Sequence, residues 1–91
     1  MALYGPNYKS MPEIVSTQIR AARGALDWTI EKLALESNVG ARTIKRYEAI
    51  SGIPVSKKDN LEKIRRAFEA AGIEFIGSPE DRPGVRLDIS K

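Results

Sequence analysis

The sequence predicts a mainly α domain of four or five short helices, closed by a C-terminal pair of β-strands. Three observations carry this. Apolar residues recur at helical spacing over 14–71, in short runs broken by turn residues. After Gly72 the period falls from 3.6 to 2. A chain of 91 residues has room for one hydrophobic core and not for two. The chain accordingly divides into an N-terminal arm over 1–13, a helical domain over 14–71 and a β extension over 72–91.

Each element has its own local justification. The first dozen residues combine Gly5, Pro6, Asn7 and Pro12 with Tyr4 and Tyr8 and show no helical period, so they read as an arm. Val15, Ile19, Ala22 and Leu26 then stand at i, i+4, i+7 and i+11, with Gln18, Arg20 and Arg23 on other faces of the same helix. Gly24 interrupts it at a cost of about 1 kcal/mol against Ala, and the helix is expected to stop near 26–28. Thr29 is placed to cap a second helix over 29–37, with Ile30, Leu33 and Ala34 inward and Glu31 in the first turn, where the helix dipole favours an anion.

The segment Ser37-Asn38-Val39-Gly40 contains the residue types that best adopt left-handed or cap conformations, so it reads as a tight turn. A third helix over 41–49 puts Ile44 and Tyr47 on one side and Arg42, Lys45 and Arg46 on others, and Ser51-Gly52 ends it. Beyond Pro54, Ser56 and Asp59 resemble a capping box for a fourth helix carrying Leu61, Ile64, Phe68 and Ala71 inward. Gly72 stands where a left-handed closing residue belongs. Ile73 and Phe75 flank Glu74, and Val85, Leu87 and Ile89 alternate with Arg86, Asp88 and Ser90, which implies two strands. Residues 77–84, rich in glycine, proline and charge, read as a connecting loop rather than a tight hairpin turn.

Composition excludes most familiar catalysis. The chain has no cysteine and no histidine, so disulfides, thiolate nucleophiles, imidazole bases and the usual zinc sites are ruled out. No paired or clustered carboxylates stand out for general acid–base work or for a divalent metal. The expectation is a non-enzymatic protein without a cofactor. No run of 18 apolar residues is present and the N-terminus lacks a signal-peptide pattern, so no membrane association is expected and a cytoplasmic location is.

Fifteen Lys and Arg against twelve Asp and Glu give a net charge of +3. That excess follows the helices. Residues 14–50 carry six basic and four acidic side chains and residues 51–71 five and three, whereas 72–91 carry three and four. Two windows dominate: 41–46, with three basic residues and no acid, and 57–66, with five against two. A basic face of this kind permits a polyanionic partner.

Two short helices joined by a tight turn, the second basic at its start, form the arrangement that inserts a recognition helix into the DNA major groove. The turn must tolerate a left-handed residue, which Asn38 supplies. The helices must share a small apolar contact, for which Ala34, Val39 and Ile44 serve. The outward side chains of the second helix must reach base edges or phosphates, and Arg42, Lys45 and Arg46 are placed to do so.

The run Thr29-Ile-Glu-Lys-Leu-Ala34 followed by Asn38-Val-Gly-Ala-Arg-Thr-Ile-Lys-Arg-Tyr-Glu48 resembles the lambda-repressor-like helix-turn-helix regulators of the phage repressor and Cro type. The likeness extends over about 14–71, and small regulators of this kind share starts like Gln18–Arg23, ends like Ala70–Ile76 and a closing Gly84–Leu87 strand. It implies a sequence-specific double-stranded DNA-binding regulator acting as a repressor. Arg42 is the leading base reader, because a guanidinium holds guanine O6 and N7 for roughly 1 to 3 kcal/mol of discrimination. Arg46, Thr43 and Ala41 are further base contacts, the last through a thymine methyl. Lys45, Thr29, Gly40, Lys57 and Lys58 are the implied phosphate contacts. The chain departs from the family pattern at Ile30, where a Gln is usual, at Gly40, where a Ser caps the recognition helix, and at Ala41.

The remaining residues have plainer expected roles. Trp28, Tyr47 and Phe68 read as core aromatics, and Glu48 as a local partner of Arg20 or another base. Because exposed strand edges invite pairing with another chain, Ile73, Phe75, Val85, Leu87 and Ile89 are expected to form a homodimer through an intermolecular sheet. Its two-fold axis would space two recognition helices about 34 Å apart for a pseudo-palindromic operator. The competing arrangement folds the strands back onto their own helices. A second functional class is an antitoxin or adaptor on the same fold, with a protein partner such as a toxin and DNA binding secondary or lost.

Overall fold

The computed structural model describes residues 13–54 and 59–90. Within them lie four helices, α1 (Ser16–Leu26), α2 (Ile30–Ser37), α3 (Ala41–Ala49) and α4 (Asn60–Ala70), followed by β1 (Ile73–Ser78) and β2 (Asp81–Leu87). The expected arm apart from Glu13, and so Tyr4 and Tyr8, lies outside the described residues, as do Ser56, Lys57 and Lys58.

The core is the one the helical spacing selects. Ile19 and Ala22 from α1, Leu33 from α2, Ile44 and Tyr47 from α3, and Ile64 and Phe68 from α4 are all buried, with Val39 from the turn and Ile73 from β1. Trp28 packs against this cluster, stacked on Phe68 with ring centroids 5.7 Å apart, and Phe75 meets Phe68 edge-on at 6.0 Å. These three rings join the α1–α2 corner to α4 and to the sheet.

Local chemistry sets the helix ends. Thr29 Oγ1 accepts the Lys32 N–H at 3.0 Å and so caps α2 as expected. Asn38 closes α2 in the left-handed region at φ 62°. Ser37 Oγ donates to the Leu33 carbonyl at 2.7 Å and accepts the Val39 N–H at 3.2 Å, tightening the same turn. Among the described residues α4 begins at Asn60, with Asp59 before it at φ 82° and without a side-chain cap, and the expected Ser56–Asp59 capping box falls on a residue outside them.

The strands differ more. β1 and β2 form an antiparallel hairpin joined through 79–80, with Ile73 opposite Leu87, Phe75 opposite Val85, Ile76 opposite Gly84 and Ser78 opposite Asp81. The expected long loop over 77–84 is thus mostly strand. A register shift between Ile76 and Ser78 sets Gly77 against Arg82 and Pro83, and Arg82 turns to φ 52°. This bulge accommodates the proline that marked the segment as loop. Gly77 is required there, since a Cβ on it would lie 2.1 Å from the Arg82 carbonyl oxygen.

The hairpin folds back onto its own chain, β2 against α1 and β1 against α4. The strands thus take the competing arrangement, pairing with each other and packing on their own helices. Ile73 is in the chain's own core, and Phe75 and Val85 pack against it. Leu87 stays partly exposed, and Ile89, 87% exposed, lies beyond the end of β2. Gln18 is corrected too: expected on an outer face, it is only 4% exposed. Its Oε1 accepts the Val15 N–H at 2.9 Å, while its Nε2 donates to the carbonyls of Gly84 and Ile76 at 3.0 and 3.2 Å. One buried amide thereby caps α1 and fastens the hairpin to it.

Candidate nucleic-acid interface

The α3 helix is held from one side and bare on the other. Ile44, Tyr47 and Glu48 face the core, whereas Arg42, Lys45, Arg46 and Ala49 are exposed. At 3.6 residues per turn these four fall within about 100° of arc, so the three cations project from one face. Ala41 and Thr43, expected as base contacts, flank that face and are half-buried. Gly40 precedes α3 in extended backbone, exposed and without a side-chain cap.

The inner side of α3 is anchored at its C-terminal end, where helix carbonyls lack intrahelical partners. Ser16 on α1 donates its hydroxyl toward the Tyr47 carbonyl at 2.8 Å, with the Gly52 carbonyl at 3.0 Å as the alternative acceptor. Arg20 donates to the Glu48 carbonyl, a cation at the negative end of the helix dipole. Arg23 grips the Glu48 carboxylate through Nε to Oε2 at 2.7 Å and its terminal nitrogen to Oε1 at 2.8 Å, and donates to the Trp28 carbonyl at 2.9 Å. Asn60, at the start of α4, donates to the Tyr47 hydroxyl at 3.1 Å. The expected local pairing of Glu48 is therefore present, with Arg23 on the side chain and Arg20 on the backbone.

These contacts decide the electrostatics. Among the described residues, Arg23, Lys32, Arg65, Arg66, Arg82 and Arg86 each form an ion pair with an acid. Arg42, Lys45 and Arg46 form none; Arg46 lies 5.9 Å from the Tyr47 ring centroid, a contact that leaves its charge in place. Glu48 is the acid within α3 itself, and Arg23 neutralises it. Donating hydrogen bonds to the Glu48 carboxylate raises the Arg23 pKa, so this partner keeps its charge. Among the described residues, the cations on the outer face of α3 thus stay outside any ion pair.

Other expected contacts are placed less uniformly. Thr29 is exposed at the start of α2, with its oxygen engaged by Lys32 N–H and its own proton free to donate. Lys57 and Lys58 fall outside the described residues. Ile30, at the start of α2, packs against the core. The residues that sequence reasoning missed are Ser16 and Gln18. A Gln at the third helical position of α1 is the capping signal that marks one of them; the reach of Ser16 to α3 leaves no mark in periodicity. Leu35 likewise carries no signal in the pattern: it is 80% exposed and lines a shallow depression at the turn with Ala34, Asn38, Val39 and Gly40.

No protein-family model matches the chain, and no curated protein matches it.

Proposed function

We propose that this chain is a sequence-specific double-stranded DNA-binding regulator that uses α3 as a recognition helix in the major groove. The observation that carries the reading is the electrostatic asymmetry of α3: three cations share its outer face with no carboxylate partner among the described residues, while Glu48 on the inner side is neutralised by Arg23. In this reading Arg42, nearest the start of the helix, meets base edges, and Arg46 follows one turn later. Lys45 takes a flanking phosphate. The Thr29 hydroxyl at the start of α2 and the Gly40 amide at the start of α3 complete the backbone contacts. Ala41 and Thr43 contribute from the flank.

The role proposed is repression by occupancy of the bound site. Selection of bound fragments from random duplex DNA at two ionic strengths tests the proposal. A recurring motif whose affinity falls steeply with salt is expected, because each neutralised phosphate releases counterions. Absence of both enrichment and salt-dependent binding overturns it.

A further inference from the structure

The outer face of α3 has a one-sided hydrogen-bonding chemistry. Its exposed side chains are Arg42, Lys45, Arg46 and Ala49. Guanidinium and ammonium groups donate and do not accept, and a methyl does neither. The helix sequence ARTIKRYEA contains no Asn, Gln or Asp. Its acid, Glu48, is buried on the inner side, where both carboxylate oxygens accept from Arg23. The Thr43 hydroxyl on the flank can donate or accept, so it selects no base by itself.

A face that only donates discriminates between base pairs in one direction. In the major groove guanine presents two neighbouring acceptors, N7 and O6, whereas adenine sets its N7 acceptor beside the N6 donor. Cytosine presents the N4 donor, and thymine a single acceptor beside a methyl group. Guanine alone therefore satisfies both arms of a guanidinium fork. Selecting adenine calls for the amide of Asn or Gln, and selecting cytosine for a carboxylate, and the exposed side chains of α3 supply neither.

Two forks stand at a fixed separation on this face. Arg42 and Arg46 are four residues apart, which is about 6 Å along the helix axis and about 40° around it. Arg46 lies 5.9 Å from the centroid of the Tyr47 ring, and that ring is 1% exposed with its hydroxyl held by Asn60, so Arg46 leans on a fixed support. Successive base pairs rise by about 3.4 Å. A separation of about 6 Å along the helix matches two base-pair steps more closely than one.

We infer that α3, laid along the major groove, selects two G·C pairs separated by a single pair, with one guanine held by Arg42 and the other by Arg46. This rests on the reading of α3 as a recognition helix and adds the class of base it reads.

The test is made on the DNA, so it does not depend on a variant folding. Selection from random duplexes with the unmodified protein is expected to return motifs that contain two G·C pairs at that spacing. Replacing either guanine of a selected duplex by 7-deazaguanine removes the N7 acceptor and leaves base pairing intact, and should weaken binding about 5-fold. Arg42→Ala and Arg46→Ala should each abolish that effect at one guanine and keep it at the other. An enriched motif without two G·C pairs at that spacing, or undiminished binding to the 7-deazaguanine duplexes, overturns the inference and leaves DNA binding standing. Absence of both enrichment and salt-dependent binding overturns the two together.

Discussion

The guanidinium of Arg23 and the carboxylate of Glu48, 25 positions apart in sequence, meet through two parallel hydrogen bonds of 2.7 and 2.8 Å and tie α1 to α3. The two partners are unequally placed: Glu48 is 8% exposed and Arg23 23%. Removing the arginine leaves a buried carboxylate without compensation, whereas removing the glutamate leaves a guanidinium that still reaches water and the Trp28 carbonyl. Arg23→Ala should therefore cost on the order of 3 kcal/mol and Glu48→Ala about half as much. Urea unfolding of both variants checks the order, and equal costs would contradict the burial argument.

The same pair fixes a pH expectation. The Arg23 pKa is raised, chiefly by its hydrogen bonds to Glu48. A base with a raised folded-state pKa stabilises the fold fully below its unfolded-state value and loses that contribution as pH climbs through the folded-state value. For an arginine this window is strongly alkaline. The contribution of Arg23 should be constant from neutral to mildly alkaline pH, which unfolding of Arg23→Ala and the parent protein in parallel would show as a constant difference.

On the outer face of α3 the proposed roles predict different signatures. Arg42→Ala should lower affinity for a selected duplex by about 1 to 3 kcal/mol and relax the preference at one base position. Lys45→Ala should weaken all duplexes alike and reduce the salt slope by about one. Binding isotherms over a salt series on matched and mismatched duplexes separate these outcomes. Unchanged binding by both variants would remove α3 from the interface.

Gln18 offers a test of how the hairpin is attached. Gln18→Leu keeps the side-chain volume but removes the partner of the Val15 N–H and a donor to the carbonyls of Ile76 and Gly84. A loss of about 2 kcal/mol is expected, since a buried amide is left unsatisfied. Hydrogen exchange should quicken in β1 and β2 before it does in α4.

Two glycines predict opposite signs. Gly24 lies within α1, exposed, with no atom within 4 Å of the place a Cβ would take, so Gly24→Ala should stabilise by about 1 kcal/mol. At Gly77 the same substitution meets the Arg82 carbonyl at 2.1 Å and a φ of 76°, so it should destabilise by more than about 1 kcal/mol. Thermal melts of the two variants give both signs directly.

Much of this architecture is written locally. The spacing of Ile19, Leu33, Ile44 and Phe68 identifies the core, and Thr29 and Asn38 mark the ends of α2, because helix periodicity and capping depend on neighbours within a turn. The hairpin is harder to read. Pro79 and Pro83 look like loop residues by composition, and only the pairing of Ser78 with Asp81 and the bulge beside Gly77 make the segment strand.

The order of residues is enough to specify the four helices, the turn between α2 and α3 and the common outward face of Arg42, Lys45 and Arg46. Packing settles the rest: which charges stay unneutralised on that face, and which apolar strand residues the chain covers itself. The reason is distance. Periodicity reports on contacts one turn away, whereas an ion pair such as Arg23–Glu48 or a clamp such as Gln18 on Gly84 exists only once remote segments have come together.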